Sequence, residues 1–359
     1  MGRLIQAAVI GCGRMGAFTS ESVRRYSPAA WLPLSHSEAI AAHPSLQLAG
    51  LCDPHAETLA RAQAEYDVAQ GFAGHRELLA AVQPKLVGIA TRTVGRTEII
   101  QDCAAAGVQA LHIEKPLCNS VAELNALSRL ADEHGLFITY GAIRRFLPVF
   151  QQAKAIADSG DLGDLLEMRF SMGARTLYWT HPHTVDLALY LAGDRRLTNV
   201  SARLAHVERS APFVIESDPV IEAAVLWFDD GVACHIGRAP GNEAELAFTR
   251  GRISIKADGR VLVVAAYRDD DPYLHESKVA VPDADGPTGT LAPVSQLVAC
   301  LQGDAAAIAA NAVVRSDIFG GQCALFALVQ SHLDDGRATA PGAVDPAMTI
   351  LAATDGRYA

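Results

Sequence analysis

The sequence predicts an α/β protein of two domains: a doubly wound parallel sheet, followed by an α+β domain with an open, largely antiparallel sheet. Up to Tyr140 short apolar runs alternate with helical patterns, as in parallel sheets covered on both faces. After Pro148 most segments are strand-like and are separated by Asp and Gly turns. The 359 residues suit two domains of ordinary size, which we place at residues 1–145 and 146–359.

The strands of the first domain are predicted where short apolar runs end in polar or turn residues. They are Ala7 to Ile10, Leu46 to Cys52, Leu86 to Ala90, Ala110 to Ile113 and Phe137 to Tyr140. Helices fill the intervals between them. The clearest helix runs from Ser120 to His134, because Ser120 and Glu123 can form a capping box ahead of an apolar stripe.

The second domain begins with a predicted helix at Val149 to Ala157, a strand at Leu165 to Met172 and a helix at Thr184 to Leu191. Five further strands with turn signals between them predict an antiparallel sheet: Val220 to Phe228, Val232 to Gly237, Ala244 to Phe248, Arg252 to Ile255 and Val261 to Ala266. A stretch with Pro and Gly, Val281 to Pro293, leads to a long apolar helix at Asp317 to His332.

Composition favours a cytoplasmic protein that acts on small molecules. The net charge of -10 repels nucleic-acid phosphates and anionic lipids, so we expect no partner of either kind. We expect no apolar segment of the roughly 18 residues that span a bilayer. The apolar N-terminal run leads straight into glycines, as a strand does and an export signal does not. The seven cysteines form no CxxC pair and are expected to be reduced thiols.

A glycine-rich loop follows the first strand directly and predicts a dinucleotide site; it reads Gly11-Cys12-Gly13-Arg14-Met15-Gly16. From Arg14 onward the chain can form a helix whose N-terminal N–H groups point at a diphosphate. Gly11 would make the tight turn, Gly13 would admit the pyrophosphate, and Gly16 would let the helix pack on the strand. A glycine-rich turn without a ligand remains the alternative.

Asp53 ends the second strand and is the candidate for binding the ribose hydroxyls. It lies 37 residues after Gly16, against about 20 in the usual fingerprint. We attribute the excess to an insertion at Ser27 to Ser45, in which Ser35 to Glu38 has the pattern of a capped helix start. A carboxylate here repels a 2′-phosphate, which favours NAD over NADP. The alternative is a helix N-cap before His55 to Tyr66.

Glu114-Lys115-Pro116 follows the strand that ends at Ile113, at the carboxyl edge where doubly wound folds bind ligands. A lysine beside an oxidised nicotinamide meets a second positive charge and partial desolvation, and both effects lower its pKa. Such a lysine could steer a substrate hydroxyl. The alternative is an ordinary exposed lysine in a loop.

These motifs together resemble the glucose-fructose oxidoreductase/inositol dehydrogenase/rhizopine-catabolism (Gfo/Idh/MocA) family. The resemblance covers residues 5 to 193 and rests on GCGRMG, Asp53, Thr91-Arg92-Thr93, Glu114-Lys115-Pro116, Arg145-Phe146-Leu147-Pro148, Gly160-Asp161-Leu162-Gly163 and His183-Thr184-Val185-Asp186. It implies a Rossmann domain plus an open-faced α/β domain whose sheet commonly packs against another subunit. A homodimer or homotetramer is therefore expected.

The resemblance also implies the chemistry: oxidation of a secondary hydroxyl of a sugar, sugar derivative or cyclitol, or reduction of the ketone, with Lys115 as the catalytic lysine. His183 and Asp186 match two positions of the family's second motif. The family's first aspartate is replaced by Trp179, and His181 stands where a small residue is usual. The implied cofactor contacts are the glycine loop, Asp53, Thr91, Arg92, Thr93, Glu114 and Lys115. The candidate substrate contacts are Lys115, Arg144, Trp179, His181 and His183.

His183 is the candidate base, because an imidazole with an ordinary pKa of about 6.5 exchanges protons near neutrality. Three-residue spacing on a helix would place Asp186 on the same face, while Lys115 would stabilise the developing alkoxide. His183 could instead be a helix-start histidine bonded to backbone. His181 and His183 could also ligate a metal, but no further ligand cluster completes a site, so no metal is predicted.

Two other functions stay open. Some proteins that resemble this family use bound NAD transiently to cleave glycosidic bonds, which would make the chain a glycosidase. The chain could also be a binding protein that senses a dinucleotide without turnover, although Lys115 and His183 argue against that reading. A further hypothesis concerns the substrate pocket, which an insertion at Trp31 to His36 could help to shape.

Overall fold

The computed structural model describes residues 4–268, 271–281, 286 and 288–352. It divides into two compact units, each with its own sheet. Unit 1 holds the described residues of 4–143 and 286–319, and unit 2 holds those of 144–281 and 320–352. The second half of the chain therefore returns to unit 1 for one segment, which the predicted division at residue 145 does not include.

Unit 1 is built on a six-stranded parallel sheet in the order β3-β2-β1-β4-β5-β6, the Rossmann order, with helices between the strands. The predicted doubly wound fold is confirmed. Its elements are β1 Ile5–Ile10, α1 Glu21–Tyr26, α2 His36–Ala42, β2 Leu46–Cys52, α3 Ala56–Tyr66, β3 Gly71–Phe72, α4 His75–Val82, β4 Leu86–Ile89, α5 Arg96–Ala105, β5 Ala110–Ile113, α6 Val121–Glu133 and β6 Phe137–Tyr140.

The segment after the glycine loop differs from the prediction. The loop makes a single helical turn, in which Ala17 N–H donates to the Gly13 carbonyl at 2.9 Å, and the chain then leaves this turn. It returns at α2, where the N–H groups of His36 and Ser37 donate to the carbonyls of Met15 and Gly16 at 2.9 and 2.8 Å. The expected continuous helix from Arg14 is therefore interrupted.

The extra segment is residues 17–35, not the predicted Ser27 to Ser45. The predicted capping box at Ser35 and Glu38 is present, but it begins α2, whose Ala39 and Ile40 are fully buried in the core of unit 1. Because α2 packs against β1 and β2, it is the crossover helix of the sheet rather than an extra one. The added segment carries α1 and a short 3-10 turn at Ala29–Trp31.

Unit 2 contains an eight-stranded sheet in the order β16-β15-β14-β13-β7-β12-β11-β8 and a three-stranded sheet in the order β17-β10-β9. All neighbours in the larger sheet are antiparallel except β12 and β7, so the prediction of a largely antiparallel sheet is confirmed. Its elements are α7 Pro148–Asp158, β7 Leu165–Ser171, α8 His181–Ala192, β8 Leu197–Ala205, β9 Arg209–Ala211, β10 Val214–Ile215, β11 Val220–Phe228, β12 Ala233–Gly237, β13 Glu243–Phe248, β14 Gly251–Lys256, β15 Val261–Tyr267, β16 Leu274–Val279 and β17 Thr349–Ile350.

Alternating burial along the strands of unit 2 shows which side of the sheet faces its core. In β7, Met168 and Phe170 are buried, whereas Arg169 between them is exposed. In β11, Leu226 and Phe228 are buried on the same pattern. Helix α7 packs against β14 and β15, so it covers part of the inner face, and α8 packs against α7.

Two C-terminal helices complete the description, α9 Leu291–Leu301 and α10 Ala305–Leu333. The sequence analysis missed α9 and placed its first residues in a loop; three of its apolar side chains, Val294, Leu297 and Val298, belong to the core of unit 1. Helix α10 extends well beyond the predicted Asp317 to His332. Residues 282–285 and 287 of the predicted loop lie outside the described residues.

Helix α10 also corrects the expectation about apolar segments. It has 29 residues and is long and apolar enough to span a membrane by length and composition. Half of its most apolar window is buried inside the fold. A core helix of a globular protein has these same properties, so α10 is weak evidence for a membrane span.

Candidate active site

The glycine loop has the geometry that a bound pyrophosphate requires. Gly11 has a φ of +91°, and a Cβ there would stand 2.9 Å from the carbonyl carbon of Ala90. A Cβ on Gly16 would stand 1.7 Å from the Gly11 carbonyl oxygen. A Cβ on Gly13 would meet nothing within 4 Å. At Gly11 and Gly16 a side chain would therefore collide with the protein's own backbone, whereas the space at Gly13 is open to a ligand.

Asp53 binds the glycine loop directly. One carboxylate oxygen accepts the Cys12 N–H at 2.8 Å, and the other accepts the His55 N–H at 2.9 Å. The side chain thus joins the loop to the start of α3 while lying at the carboxyl end of β2. Burial, followed by the nearby charge of Asp53 and by Cys52, raises the pKa of the Cys12 thiol to about 12, so this thiol stays protonated.

Three neighbouring strands bring the predicted cofactor residues to one edge of the sheet. Strand β4 lies between β1 and β5, so the residues after each strand are adjacent. Ala90 N–H donates to the Ile10 carbonyl, and Glu114 N–H donates to the Ile89 carbonyl, each at 2.9 Å. The glycine loop, the segment that begins with Thr91 and the Glu114-Lys115-Pro116 turn consequently share this edge.

Arg96 ties two of these loops together, and sequence reasoning missed it. Its side chain is almost fully buried, and its guanidinium donates to the carbonyls of Thr91, Glu114 and Pro116. Burial lowers the pKa of this guanidinium from its usual value. The predicted Arg92 is exposed, and Thr93 accepts the Arg96 N–H at 3.0 Å. No sequence signal marks Arg96, because its burial and its carbonyl partners depend on the fold.

The Glu114 carboxylate is buried against His36, the first residue of α2. His36 Nε2 donates to Glu114 Oε1 at 3.3 Å, and the second carboxylate oxygen accepts the Lys115 N–H at 3.3 Å. Burial opposes ionisation of Glu114, but the hydrogen bond and charge of His36, then the charges of Lys115 and His112, outweigh it and lower its pKa to about 2. Glu114 is therefore a buried anion next to Lys115.

In unit 2, helix α8 carries the predicted histidines and Asp186. Its second residue is Pro182, which suits the first turn of a helix because its missing N–H has no intrahelical partner there. His181 is buried and shares a hydrogen bond of 3.2 Å with the Thr184 hydroxyl, while His183 is half-buried. Burial lowers the pKa of His181 to about 4. This placement favours a structural role for His181 over the expected substrate contact.

The two arginines before α7 form ion pairs. Arg144, a predicted substrate contact, donates from Nε and Nη2 to the Asp258 carboxylate at 2.8 and 2.9 Å. Arg145 donates from Nε to the Asp186 carboxylate at 3.0 Å and from Nη2 to the Asp186 carbonyl at 3.1 Å. Both guanidinium groups thus anchor elements of unit 2, and Asp186 has a cationic partner that the sequence did not reveal.

Trp179, at the position of the family aspartate that this chain lacks, is half-buried. Its N–H and that of Tyr178 donate to the two carboxylate oxygens of Asp218, at 3.0 and 2.7 Å. The Tyr178 hydroxyl accepts a hydrogen bond from Gln322 at 3.0 Å. Asp218 was missed by the sequence analysis, because it lies 39 residues from Trp179 in a region with no motif.

Among the described residues there is no group of three or more His, Cys, Asp or Glu side chains that could hold a metal ion. The donor set in unit 1 is instead that of a dinucleotide site: an open glycine loop, a carboxylate at the end of β2, and polar turns at the ends of β4 and β5. Lys115 belongs to unit 1, and His183 belongs to unit 2.

Comparison with known proteins agrees with this assignment. Residues 5–142 match GFO_IDH_MocA, described as an oxidoreductase family with an NAD-binding Rossmann fold. A scyllo-inositol 2-dehydrogenase (NAD(+)) of Bacillus subtilis (strain 168) is 28% identical over 246 residues, which are 64% of this chain and 65% of the relative. A myo-inositol dehydrogenase of Streptomyces leeuwenhoekii is 30% identical over 162 residues, 45% of this chain and 44% of the relative.

The matches to these curated relatives thus span about half to two thirds of their length. A solved structure extends the similarity in fold to nearly the whole chain. An inositol dehydrogenase homologue from Azotobacter vinelandii, complexed with NADH and myo-inositol, superposes with a TM-score of 0.71 at 16% identity and covers 94% of this chain and 98% of its own.

Proposed function

Because this chain is an oxidoreductase of the Gfo/Idh/MocA family with NAD as its cofactor, we propose that it exchanges a hydride with a sugar, sugar derivative or cyclitol. The reacting group is a secondary hydroxyl in one direction and the ketone in the other. The observation that carries the proposal is the position of Lys115, on a buried anionic turn at the same sheet edge as the glycine loop. The inositol dehydrogenases among the relatives support this substrate class.

The chain's own residues supply positioning and proton chemistry. The glycine loop and Asp53 hold the dinucleotide, which supplies the hydride acceptor when it is bound. The Lys115 ammonium donates a hydrogen bond to the substrate oxygen and stabilises negative charge that develops there. His183 accepts the hydroxyl proton in the oxidation direction, and Asp186 supports α8, which carries that imidazole.

Asp53 supports the preference for NAD over NADP. Its carboxylate ends β2 and is already fixed by two backbone N–H groups, so its remaining lone pairs can accept from ribose hydroxyls. A 2′-phosphate at the same place would meet a like charge. Asp53→Asn keeps the size of the side chain but removes its charge. It is expected to lower the preference for NAD, measured as kcat/KM with NAD divided by kcat/KM with NADP, by about tenfold or more.

The test of the function is a panel of inositols, aldoses, uronates and anhydrosugars, assayed with NAD by the absorbance of NADH. Lys115→Met is expected to lower kcat for any substrate found by about 100-fold to 10,000-fold. The matched control is Lys85→Met, since Lys85 is an exposed lysine just before β4, at the opposite end of the strand from Thr91. Equal activity of Lys115→Met and unmodified protein would contradict the assignment.

The same assay distinguishes the other two functions. Release of a sugar product with no net change of the cofactor would identify the NAD-dependent glycosidase and overturn net dehydrogenation. Cofactor binding with no turnover of any panel member would identify a dinucleotide-binding protein. Accumulation of NADH with an oxidised product supports the proposal.

We also propose that the chain forms a homodimer or homotetramer and works in the cytoplasm. On the outer face of the larger sheet of unit 2, Arg252 forms ion pairs with Glu245 and Glu276, while Leu166 is about half exposed. A face that mixes ion pairs with apolar side chains suits an isologous contact between two copies. Light scattering coupled to size exclusion measures the assembly, and a monomer at assay concentration would contradict it.

A further inference from the structure

His36 contacts both halves of the cofactor region through two different parts of the residue. Its backbone N–H donates to the Met15 carbonyl of the glycine loop at 2.9 Å. Its side chain donates from Nε2 to the Glu114 carboxylate, next to Lys115, at 3.3 Å. One residue therefore connects the loop that holds the diphosphate with the turn that carries the catalytic lysine.

The surrounding residues leave space for this side chain and fix it. His36 is fully buried, and its ring lies 4.5 Å from that of His112, between centroids. A Cβ on Gly88 of β4 would stand 2.8 Å from His36 Nδ1, and a Cβ on Gly141 would stand 2.8 Å from the Glu114 carboxylate. Glycine at both positions thus makes room for the His36–Glu114 pair inside the unit.

The histidine is kept at this place by its bond to Glu114, although its other ring nitrogen lies in apolar surroundings. Nδ1 of His36 is buried and has no hydrogen-bond partner among the described residues, and burying such a group costs about 1–3 kcal/mol. An apolar residue facing Glu114 would avoid that cost but would leave a buried carboxylate without its side-chain donor. His36 is therefore the side-chain donor that the buried Glu114 carboxylate requires.

We propose that His36 is a positioning residue, which fixes the Glu114 carboxylate so that the Lys115 turn keeps a constant relation to the glycine loop. The inference rests on the proposed role of Lys115. Because His36 holds Oε1, Oε2 remains directed at the Lys115 backbone N–H, and the backbone of Lys115 keeps one orientation at the sheet edge. Without the His36 donor the carboxylate can rotate, and the Lys115 side chain no longer has a fixed position relative to the bound nicotinamide.

The test compares two ligands that report on different halves of the site. ADP-ribose contains the diphosphate and both riboses but no nicotinamide, so its Kd reports on the glycine loop. NADH adds the nicotinamide half. The variants are His36→Leu, which removes the donor, and His36→Gln, whose amide can donate to the carboxylate. The matched control is Leu78→Ala, because Leu78 is a fully buried apolar residue of α4, a helix that packs beside β2 and β3.

We expect His36→Leu to keep the Kd for ADP-ribose within about twofold while kcat falls about 10- to 100-fold, since small displacements of catalytic groups have effects of this size. The NADH Kd should rise more than the ADP-ribose Kd. His36→Gln should recover most of the lost kcat. Leu78→Ala should lower the thermal midpoint, because it leaves a cavity in the core, but without the same fall in kcat.

The inference is overturned if ADP-ribose and NADH binding weaken equally, if His36→Gln is as impaired as His36→Leu, or if Leu78→Ala loses as much kcat. If His36→Leu does not fold, Gly88→Ala replaces it, because the added methyl displaces the ring from the Nδ1 side and keeps every polar group. Unchanged kcat in that variant would also overturn the inference. Lys115→Met in the same series separates the two proposals: its full activity refutes the role of Lys115, whatever His36 does.

Discussion

The Asp186 carboxylate and the Arg145 guanidinium form an ion pair of 2.9 Å in which both side chains are about 95% buried. The arginine also donates to the Asp186 carbonyl, so it holds the helix that carries His183 by its backbone as well as by its charge. A buried pair of this geometry is costly to break from one side, because the remaining charge has no compensation.

Asp186→Ala is therefore expected to lower the free energy of unfolding by about 3–5 kcal/mol, measured by urea denaturation. The control is Asp158→Ala, which removes an exposed i,i+4 pair with Lys154 and should cost only about 0.5 kcal/mol. The double variant Arg145→Met with Asp186→Leu should recover much of the stability. If it recovers stability and kcat together, Asp186 acts only by supporting α8. Recovered stability with a low kcat would instead show that the Asp186 carboxylate takes part in the reaction.

The glycine loop gives a matched pair of predictions. Gly13→Ala should fold with a free energy of unfolding within about 1 kcal/mol of the unmodified protein, because nothing stands within 4 Å of the new methyl group. Its NADH Kd should rise by about tenfold or more, because the methyl takes the space of the pyrophosphate.

Gly16→Ala should show the opposite behaviour. The new Cβ would lie 1.7 Å from the Gly11 carbonyl oxygen, so the loop must distort, at a cost of about 3 kcal/mol or more. Thermal melts and NADH fluorescence titrations measure both quantities. A stable Gly16→Ala, or a Gly13→Ala with unchanged NADH affinity, would contradict the loop geometry described above.

His181 predicts a pH dependence of stability. Burial lowers its pKa from 6.5 to about 4 in the folded chain, so between these values the unfolded chain binds a proton that the folded chain does not. The free energy of unfolding should therefore fall as the pH is lowered from 6.5 to 4, by about 3 kcal/mol in total, and this contribution should level off below pH 4.

His181→Leu should reduce that slope even if it lowers the overall stability, because the titrating group is gone. Urea denaturation at several pH values measures the slope. The control replaces His134, whose side chain is exposed, and should leave the slope as in the unmodified protein. An unchanged slope in His181→Leu would show that another group is responsible.

The sequence was most informative where local physics determines the structure. Strands β2, β5 and β6 were predicted with the bounds observed, because short apolar runs bordered by turn residues are typical of buried strands. The capping boxes at Ser35 and Ser120 were also correct, since each needs only residues three positions apart. One wrong boundary was that of the extra segment, because the sequence of the capped start of α2 does not show whether it begins an added helix or the crossover helix itself.

What the sequence could not reveal depends on contacts between distant segments. Arg96, Asp218 and His36 have no motif of their own; the fold brings them to backbone or carboxylate groups 18 to 78 residues away. Strand β16 was missed because most of its residues are polar on both faces. Strand β8 was missed although Val200, Ala202 and Leu204 alternate with polar residues. Helix α9 was missed because its first residues fall in the predicted Pro- and Gly-containing stretch that ends at Pro293, although proline is common in the first turn of a helix.

The interruption after Gly16 has a consequence for engineering. The two ends of the 17–35 segment are already held together, since Ser37 N–H donates to the Gly16 carbonyl at 2.8 Å. A chain that leaves and re-enters a helix through adjacent residues tolerates changes in the length of the excursion, because closing the gap costs little entropy. The exposed end of α1, at Arg25 and Tyr26, is thus a natural insertion point for a reporter peptide, close to the diphosphate loop in sequence.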